Sequence, residues 1–517
     1  MAAKFHISLD EAVQPLVLAL DVGSSATRGM VYDAHGRPVG KRAKVAHHFT
    51  GDADGTSVID PDQVVDEVVQ VIDKLVSRMG EAPIAGMAID TFASSFIATD
   101  AQGRAITDCH TYADARPGPQ VEQLRRELDE DELQQRTGVR LHASYWPARL
   151  RWFAENEPEV LEAASHFVTL GDYVWLRLIG TLGTGTSNAS WTGLVKRHTA
   201  LWDEDLLARV TDRVTIDQLP PIHRPREPLT VTPDKLEAVT GRWPTVAHAN
   251  WYGALTDGFA ANVGLGAHDE TAIGASCATS GALRVVVREQ PETLPRGLWC
   301  YRVGRNHSLI GGALNDVGRA MTWADENFRV DDPEALAAVL AAEPSPYTPL
   351  VLPFFTGERS TGWASDARAV MENVTAATTP ALMYRGVLEG IALAYARIAT
   401  QLRVAASTPE NLYAGGRVAG DHPGLMQLLA DAMDTPVTPV TIKRTTLHGT
   451  ALMALQSTAP GVTRTIPDQN APVHPVPSRR AYYEERLARF ERLYEAAIGT
   501  RPPTQADAPA VAAVASG

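Results

Sequence analysis

Short apolar runs alternate with turns of small residues at the start of the chain. Residues 16–22 read LVLALDV and stop at Gly23-Ser24-Ser25, after which residues 26–33 and 37–45 read ATRGMVYD and RPVGKRAKV. Apolar runs of this length, separated by glycine, serine and histidine-glycine turns, predict three consecutive strands. The chain therefore opens on a β-meander.

Helical spacing replaces this pattern directly afterwards. Asp60-Pro61 precedes a stretch in which the apolar residues between Val64 and Val76 recur three and four positions apart. This spacing predicts an amphipathic helix that begins at the proline. Residues 84–90, IAGMAID, return to a strand pattern, and strands and helices continue to alternate to about residue 265. The alternation indicates a mixed α/β fold.

A second unit of the same kind begins near residue 272. Residues 271–287, TAIGASCATSGALRVVV, predict strand, turn and strand, and residues 308–314, SLIGGAL, predict a further strand. Residues 379–403 predict a long helix, and residues 411–416, NLYAGG, predict a strand that ends in two glycines. Two halves that open in the same way suggest an ancient duplication.

Length and composition set the class of protein. A chain of 517 residues exceeds one ordinary core and predicts at least two domains. Hydrophobic residues at 44% and charged residues at 21% are typical of a globular protein. The formal net charge of −14 argues against broad nucleic-acid binding and against a basic membrane-docking face. It leaves room for a local anion site built from backbone N–H groups.

Cysteine usage and the N-terminus bear on location. Cys109, Cys277 and Cys300 form no C-x-x-C pair, so zinc binding and thiol redox chemistry have no support. The first 15 residues lack the apolar region of a signal peptide, and no apolar run approaches the roughly 18 residues of a membrane span. We expect a cytoplasmic protein without membrane contact. Oligomeric state leaves no signal in the sequence, and a homodimer stays open.

The first strand and turn carry the residues of a phosphate site. Asp21 ends the strand, Gly23, Ser24 and Ser25 form the turn, and Arg28 follows. Backbone N–H groups and hydroxyls in such a turn can face phosphate oxygens, Asp21 can hold Mg²⁺, and Arg28 adds positive charge. The alternative is a plain hairpin with a solvated aspartate.

Similar chemistry recurs in the second half. Thr279, Ser280 and Gly281 form a small-residue turn between two predicted strands. Gly415 and Gly416 follow a strand and precede a helix, where glycine lets the backbone approach a flat ligand such as adenine. Each turn by itself is also compatible with an ordinary connection.

Three further polar residues are candidates for the acceptor side of a reaction. Asp257, in Thr256-Asp257-Gly258, can act as the carboxylate that accepts a hydroxyl proton in phosphoryl transfer, or it can cap a helix. Asp114 and Arg116 can bind the hydroxyls and carboxylate of a ligand, or they can form an ion pair with each other.

Taken together, these stretches resemble the FGGY family of carbohydrate kinases, from about residue 16 to residue 457. Residues 18–36 resemble the family's first phosphate motif, and residues 89–116 its sugar-binding region, with Tyr112 where tryptophan is usual. Residues 144–158 resemble its N-terminal signature, with Arg149 in place of lysine. Its C-terminal signature is matched by LPFFTGERSTGWASDARA at 352–369 and YRGVLEGIALAY at 384–395.

The resemblance implies an α/β protein with two actin-like (ribonuclease H-like) domains and an interdomain cleft in which ATP, with Mg²⁺, meets the acceptor. It implies Asp257 as catalytic base and Asp21 as metal and phosphate contact. The further cofactor contacts implied are Gly23, Ser24, Ser25, Arg28, Thr279, Ser280, Gly281, Gly415 and Gly416. The acceptor contacts implied are Ser94, Ser95, Asp114, Arg116 and Asp257.

The resemblance also predicts how the chain divides into domains. We expect an N-terminal extension (1–15), an N-terminal domain with the catalytic aspartate (16–267), a nucleotide-binding domain (268–457), a proline-rich linker with a C-terminal helix (458–500) and a disordered tail (501–517). The tail is rich in proline and alanine and carries little to bury.

Within the family, the gluconokinase-like branch fits best, because residues 256–264 read TDGFAANVG. Two positions depart from that branch. Ala93-Ser94-Ser95 stands where an aromatic residue or methionine and then His-Ser are usual, and Val58 stands near a usual glutamate. A gluconate-like acceptor is therefore favoured, and a ketose, a polyol or a cyclitol is the alternative.

A protein that is not an enzyme is also compatible with the sequence. The same fold serves ATP-driven chaperones and filament proteins, so a non-catalytic protein that binds ATP and sugar is compatible with the fold. The presence of Asp257 discriminates, because a binding protein has no need of a base.

Overall fold

The computed structural model describes residues 5–330, 333–406, 409–442, 444–467 and 469–499. The expected tail at 501–517 lies outside the described residues. Two lobes, each built on a mixed β-sheet with helices packed on it, face each other across a cleft. None of the helices in the described ranges is long and apolar enough to cross a membrane.

The strands of the first lobe are β1 Leu16–Gly23, β2 Ala26–Tyr32, β3 Pro38–Ala46, β4 Thr50–Gly51, β5 Ser57–Ile59, β6 Ile84–Thr91, β7 Ile97–Thr99, β8 Cys109–His110, β9 His166–Val168, β10 Thr184–Gly185, β11 Val195–Lys196, β12 Leu201–Trp202, β13 Ile222–His223, β14 Pro228–Leu229, β15 Asn250–Tyr252 and β16 Leu255–Thr256. Those of the second lobe are β17 Ala272–Cys277, β18 Gly281–Val287, β19 Trp299–Arg302, β20 Ser308–Leu314, β21 Leu350–Leu352, β22 Val370–Glu372, β23 Asn411–Gly415 and β24 Val437–Pro439.

The helices are α1 Pro61–Met79, α2 Gly118–Glu127, α3 Glu130–Thr137, α4 Trp146–Asn156, α5 Pro158–Ala163, α6 Leu170–Ile179, α7 Thr186–Ser190, α8 Glu204–Val210, α9 Pro233–Arg242, α10 Asp257–Gly264, α11 Gly318–Asn327, α12 Pro333–Ala341, α13 Pro380–Ala405, α14 Arg417–Asp421, α15 Pro423–Met433, α16 Thr445–Thr458 and α17 Arg480–Tyr494. Short 3₁₀ turns lie at Leu9–Glu11, Ile216–Gln218, Pro244–Val246 and Pro477–Arg479, and a π turn at Glu495–Gly499 follows α17.

The two main sheets share one topology. In the first, β1, β2 and β3 form an antiparallel meander, and β6 pairs in parallel with β1 on its other side. In the second, β17, β18 and β20 form the meander, and β23 pairs in parallel with β17. Antiparallel neighbours need only tight turns, whereas the parallel strands arrive through long connections that contain helices. The α/β class and both strand–turn–strand units are confirmed, and the repeated topology agrees with a duplication.

Helix α1 shows why the first crossover begins where it does. The Asp60 side chain accepts hydrogen bonds from the N–H groups of Asp62, at 2.9 Å, and Gln63, and Pro61 occupies the first helical position. Val64 and Val68 are fully buried in the core that α1 shares with the first sheet. The apolar spacing read from the sequence is therefore the face that covers the sheet.

Two glycines let α10 and α16 cross at close range between the lobes. A Cβ atom on Gly264 would lie 1.9 Å from the carbonyl oxygen of Thr445, and one on Gly449 would lie 1.8 Å from that of Ala260. Such distances leave no room for a methyl group. Although α16 comes late in the chain, it packs on β1 and β6 of the first sheet.

Helix α17 packs on the second lobe. Tyr483 and Phe490 are buried in the main core of that lobe together with residues of α13. The sequence predicts a final helix near 481–498, and the structure places α-helix over 480–494, with the π turn completing it. This helix reaches the active-site region through Tyr494, as described below.

Candidate active site

Three carboxylates meet at one edge of the first sheet. Asp21 lies near the end of β1 and Asp90 near the end of β6, where they are direct Cα partners in the parallel pairing. Asp257 begins α10 immediately after β16, whose Leu255 is the partner of Asp90. Sequence reasoning missed Asp90, which carries no local signal: its neighbours form an ordinary buried strand.

Burial and mutual repulsion set the charge of Asp21 and Asp90. Burial, the Asp21 carboxylate and Asp257 raise the pKa of Asp90 well above its usual range, against a 2.7 Å hydrogen bond from Thr450 Oγ1. Burial also raises the pKa of Asp21, although Arg28 Nη1 lies 3.3 Å from its Oδ2 atom. Two adjacent carboxylates that resist ionising together favour a shared proton or a cation between them.

The carboxylates of Asp21 and Asp90 suit a Mg²⁺ ion that is bound to the phosphates of a nucleotide. In proteins Mg²⁺ is commonly held by one or two carboxylates, with waters and substrate phosphates completing its shell. Among the described residues, no group of three or more histidine, cysteine, aspartate or glutamate side chains could hold a metal ion.

The carboxyl group of Asp257 is buried and has a raised pKa. Burial raises its pKa to about 6, Asp21 adds to the rise, and the guanidinium of Arg284 opposes it. The Oδ1 atom accepts a 2.7 Å hydrogen bond from the N–H of Gly258. Thr256 holds the N-cap position of α10, so Asp257 is the first residue of the helix and not its cap.

The two small-residue turns approach one cavity from opposite lobes. Ser24 and Ser25 are exposed at the β1–β2 turn, and Thr279 and Ser280 are exposed at the β17–β18 turn. Ser24 and Ser280 both line the cleft. Arg28 Nη2 donates to Ser25 Oγ at 3.1 Å and steadies the first turn. The structure thus brings together the residues that the sequence singled out in both halves.

The glycines of the sequence analysis lie in closely packed surroundings. A Cβ atom on Gly23 would lie 2.9 Å from Arg28 Nη1, and one on Gly281 would lie 2.0 Å from the Tyr395 hydroxyl oxygen. Gly416 has a φ of 109°, and Gly415 pairs with Ser276 at the end of β17. Gly415 and Gly416 therefore lie beside the second turn without lining the cleft cavity.

The cleft holds a cavity of about 660 Å³ with an aromatic wall. Trp191 of the first lobe stacks on Tyr301 of the second, with ring centroids 3.6 Å apart, and Trp299 lies 4.7 Å from Tyr301. The Tyr145 and Tyr301 hydroxyls are hydrogen-bonded, and Trp363 also lines the cavity. Sequence reasoning did not find this wall, because its members are far apart in the chain.

Two arginines of the second lobe face the same cavity. Within the described part of the chain, the Nε atoms of Arg284 and Arg359 are buried without a hydrogen-bond partner. Arg284 Nη1 donates to Ser276 Oγ at 3.3 Å. Sequence reasoning quoted the stretch around Arg359 as a signature but assigned neither arginine a role.

Glu358 fixes the loop that carries Arg359. Its Oε1 atom accepts hydrogen bonds from the N–H groups of Thr361 and Gly362, at 2.8 and 3.0 Å, and from Arg397. Its Oε2 atom accepts a 2.6 Å bond from the Tyr494 hydroxyl. A carboxylate with this many donors is a structural anchor, which leaves the neighbouring arginine to face the cleft.

The loop after β6 is held by Arg149. This fully buried arginine donates to the carbonyl oxygens of Ser94, at 2.5 Å, His110 and Thr111, and burial lowers its pKa to about 10. Ser94 lines the cavity, but its hydroxyl donates to the carbonyl of Trp191 at 2.9 Å. The arginine at the usual lysine position thus ties together the segments on which the predicted acceptor residues lie.

Ser95, Asp114 and Arg116 do not line the cavity. The Ser95 hydroxyl accepts a 2.9 Å hydrogen bond from the N–H of Leu170 and is buried. Arg116 donates to Asp114 with two nitrogens, at 3.1 and 2.6 Å. His110, 3.0 Å from the Asp114 carboxylate, and Arg116 together lower the pKa of Asp114 against the effect of burial. The neighbouring Tyr112 lines the cleft instead.

Known proteins resemble the chain over nearly all of this architecture. Residues 16–264 match the N-terminal domain, and residues 275–457 the C-terminal domain, of the FGGY family of carbohydrate kinases. A gluconokinase from Bacillus licheniformis is 25% identical over 72% of this chain and 74% of its own. A glycerol kinase from Alkalilimnicola ehrlichii is 26% identical over 93% of this chain and 98% of its own.

Solved structures agree on the fold. The gluconate kinase from Lactobacillus acidophilus superposes with a TM-score of 0.84 at 22% identity, over 93% of this chain and 98% of that one. The expected pair of actin-like domains with a cleft is thus confirmed. The chain belongs to the FGGY family of carbohydrate kinases and is a phosphotransferase that uses ATP with Mg²⁺ to phosphorylate a hydroxyl of a sugar or polyol.

Proposed function

We propose that Asp257 is the catalytic base and that Asp21 and Asp90 hold the metal ion of Mg²⁺-ATP. The observation that supports this most is the position of Asp257 in the cleft, beside two paired carboxylates and with a pKa of about 6. A base with such a pKa is ionised at pH 7 and still accepts a proton readily. When bound, Mg²⁺ neutralises charge on the phosphate oxygens.

In the proposed reaction, an acceptor hydroxyl donates its proton to the Asp257 carboxylate as its oxygen bonds to the γ-phosphorus of ATP. The bond from that phosphorus to the β,γ-bridging oxygen breaks, and ADP leaves with the electron pair. Ser24, Ser25 and Arg28 on one side and Thr279 and Ser280 on the other would position the phosphates.

The remaining cofactor contacts are also proposals. Gly23 and Gly281 give their turns the close packing that exposes the neighbouring hydroxyls. Gly415 and Gly416 follow the strand next to the second turn, where adenine would lie flat against the backbone. Asp114 and Arg116, although paired, are proposed to shape the acceptor rim through Tyr112.

We favour a gluconate-like acceptor. The unpaired Nε atoms of Arg284 and Arg359 in the cleft suit a carboxylate, which arginine binds with two parallel hydrogen bonds. Arg284 also lies close enough to Asp257 to oppose the rise of its pKa, which suits it to the developing charge on the phosphoryl group. Arg359 is then the better candidate for the acceptor carboxylate.

A neutral ketose, polyol or cyclitol is the second candidate, favoured by a different observation. Trp191, Trp299 and Tyr301 make one wall of the cavity apolar and aromatic, and the small residues Ala93 and Ser94 also line the cavity. Aromatic faces bind C–H surfaces without needing charge on the ligand.

The deciding experiment measures ADP release, coupled to NADH oxidation, over a panel of aldonates, ketoses, alditols and cyclitols. We expect turnover on an aldonate, with KM raised at least tenfold in Arg359→Gln and unchanged in the control Arg368→Gln, an exposed arginine of the same segment. Turnover confined to neutral acceptors, insensitive to Arg359→Gln, would instead establish the second candidate.

A cytoplasmic location and a homodimer are further proposals. Cys109, Cys277 and Cys300 are buried free thiols, which suits a reducing compartment. Light scattering coupled to size-exclusion chromatography would decide the oligomeric state, because a dimer doubles the mass of the 55.7 kDa chain.

A further inference from the structure

A second cavity of about 420 Å³ lies at the junction of the two lobes. The residues that line it all differ from those of the catalytic cleft. The first lobe contributes the segment 224–227 together with Phe259 and Val263 of α10. The second contributes the end of β18 and the segment 303–307. Its volume lies in the range of small-molecule sites.

The rim of this cavity is strongly basic. Arg224, Arg226, Arg288 and Arg305 line it, in a chain whose net charge is −14. Of these four arginines, Arg224 alone pairs with a carboxylate among the described residues, at 3.2 Å from Glu227. Within the described ranges, Arg226, Arg288 and Arg305 have no carboxylate within ion-pair distance, and Arg226 donates only to the amide oxygen of Gln456, at 3.0 Å.

The positive charges converge from both lobes on one ring. His307 lies in the cavity wall. Burial, and then the charges of Arg288 and Arg226, lower its pKa, and the carboxylate of Glu270 opposes this in part. Arg226 belongs to the first lobe and Arg288 to the second. Like charges that face each other across a junction push the lobes apart, and an anion between them would reverse this effect.

The floor of the cavity is apolar. Phe259, Val263, Val286, Val303 and Met453 contribute to it, so that charge is confined to the rim. Asp269 and Glu227 are the acidic residues of the lining, and each lies beside a basic neighbour. This combination suits a small organic molecule with two or more negative charges and a short uncharged skeleton.

We propose that this cavity is a regulatory site for a small phosphorylated or polycarboxylate metabolite that bridges the two lobes. Phosphate and carboxylate share the chemistry that arginine recognises. The bound anion would hold Arg226 of one lobe and Arg288 of the other at a fixed separation.

The site has a direct connection to the catalytic residue. Helix α10 begins at Asp257, and Phe259 in the second cavity follows only two positions later. Met453 and Gln456 lie on α16, the helix that crosses α10 at the paired glycines. A ligand that fixes the lobes at this junction therefore changes how the cleft closes over its substrates.

Calorimetry on the full chain tests binding independently of turnover. Inorganic phosphate, ribose 5-phosphate and citrate would each be titrated into protein saturated with Mg²⁺ and a non-hydrolysable ATP analogue, which fills the catalytic phosphate turns. We expect one anion per chain, and affinity at least tenfold weaker in the Arg226→Gln/Arg288→Gln double variant. Arg213→Gln, an exposed arginine paired with Glu162 elsewhere on the first lobe, is the control and should bind as wild type does.

The probes separate the two sources of charge, since citrate carries only carboxylates and the other two carry phosphate. Equal affinity in wild type and double variant would overturn the proposal, as would the absence of heat with all three probes. If the double variant does not fold, Arg305→Gln replaces it, because Arg305 is exposed and its removal leaves the junction packed.

The proposal that the bound anion regulates the enzyme rests on the proposed kinase reaction. It is tested separately from binding, by steady-state kinetics. At saturating anion we expect the KM for the acceptor to change at least threefold in wild type and not in the double variant. Binding by calorimetry without any change in turnover would overturn regulation while leaving the site itself established. Absence of turnover under all conditions would instead count against the proposed reaction, because the calorimetric result does not depend on it.

Discussion

At the scale of single residues, burial of Asp257 affects stability as well as chemistry. Its pKa of about 6 in the folded chain exceeds the ordinary value of 3.8, so between these pH values the folded state binds more protons than the unfolded state. Its contribution to folding is therefore fully present below pH 4 and is lost as pH rises to about 6. At pH 7.5 the charged carboxylate costs on the order of 1–3 kcal/mol.

Asp257→Asn should separate these two effects. We expect turnover to fall by roughly 10²–10⁴-fold, because the base is lost, while the melting temperature at pH 7.5 rises. The gain in melting temperature should shrink at pH 5, where wild-type Asp257 is largely protonated. Coupled ADP release and thermal unfolding at both pH values provide the measurements.

The exposed Asp217→Asn substitution is the control and should change neither property. In wild type, kcat/KM should fall about tenfold per unit of pH below pH 6. Wild-type turnover in the Asp257→Asn variant would show that Asp257 is not the catalytic base.

Some single residues of the site can be found from the sequence, and others cannot. Asp21, Ser24, Ser280 and Asp257 could be named as candidates because each lies in a short strand–turn or strand–helix motif that resembles the FGGY family. Asp90 was not, because its role depends on pairing with β1, a contact between residues almost 70 positions apart. Ser95 was assigned to the acceptor by its neighbours, but its hydroxyl binds the start of α6.

At the scale of elements, α17 extends the active site beyond the matched family segments, which end at residue 457. The Tyr494 hydroxyl donates to Glu358, which holds the loop of Arg359. Arg397 lies between them, with its guanidinium 3.9 Å from the Tyr494 ring centroid. The helix therefore supports the loop that carries Arg359, the residue proposed to bind the acceptor.

Tyr494→Phe tests this support. Loss of the hydroxyl leaves Glu358 Oε2 without a partner that the structure describes, at a cost of about 1–3 kcal/mol, and loosens the loop. We expect the KM for the acceptor to rise several-fold while the KM for ATP stays unchanged, as measured by steady-state kinetics.

Tyr482→Phe is the matched control, because Tyr482 lies on the same helix but donates to Ser345 and Glu389, away from the cleft. Its melting temperature should fall without a change in KM. Equal effects of both substitutions on the acceptor KM would show that α17 acts only through overall stability.

Local elements were predicted well and the connections between them poorly. The strand–turn–strand units, α1 and α13 follow from periodicity and capping residues at Asp60 and Thr379. Helix α2 and the loop at 141–145 line the cleft through contacts that no short window of sequence contains. The division near residue 267 stays a prediction, since α16 belongs to the second half by sequence and packs on the first sheet.

At the scale of the whole molecule, contacts between described residues join the lobes at the centre, at the aromatic wall and at the rim of the cleft. The α10–α16 crossing lies at the centre, and the Trp191–Tyr301 stack lies at the aromatic wall of the cleft. At the rim, Gln134 Nε2 donates to the carbonyl of Leu298 at 2.6 Å. Movement of one lobe against the other is therefore expected to pivot on the helix crossing and to break the peripheral contacts first.

Gly449→Ala tests the pivot. A methyl group would collide with the Ala260 carbonyl, so the helices must separate, at a cost of about 1–3 kcal/mol. We expect a lower melting temperature and a loss of turnover that exceeds the loss of folded protein. Thermal unfolding and coupled ADP release, on the same preparation, measure both.

Gly241→Ala is the control, because a Cβ atom at this helical glycine of α9 meets nothing within 4 Å. There alanine should be neutral or stabilising by up to about 1 kcal/mol. Wild-type turnover and stability in Gly449→Ala would show that the crossing tolerates displacement.

The position of α16 on the first sheet also affects how the chain emerges from the ribosome. Val17 and Ala19 pack against Leu447 and Ala451, so this face of the first sheet lacks its cover until more than 400 further residues have been made. At about 5–20 residues per second, that interval is roughly 20–90 s. During synthesis the nascent first lobe carries an apolar surface for a chaperone to shield, and only the arrival of α16 ends that need.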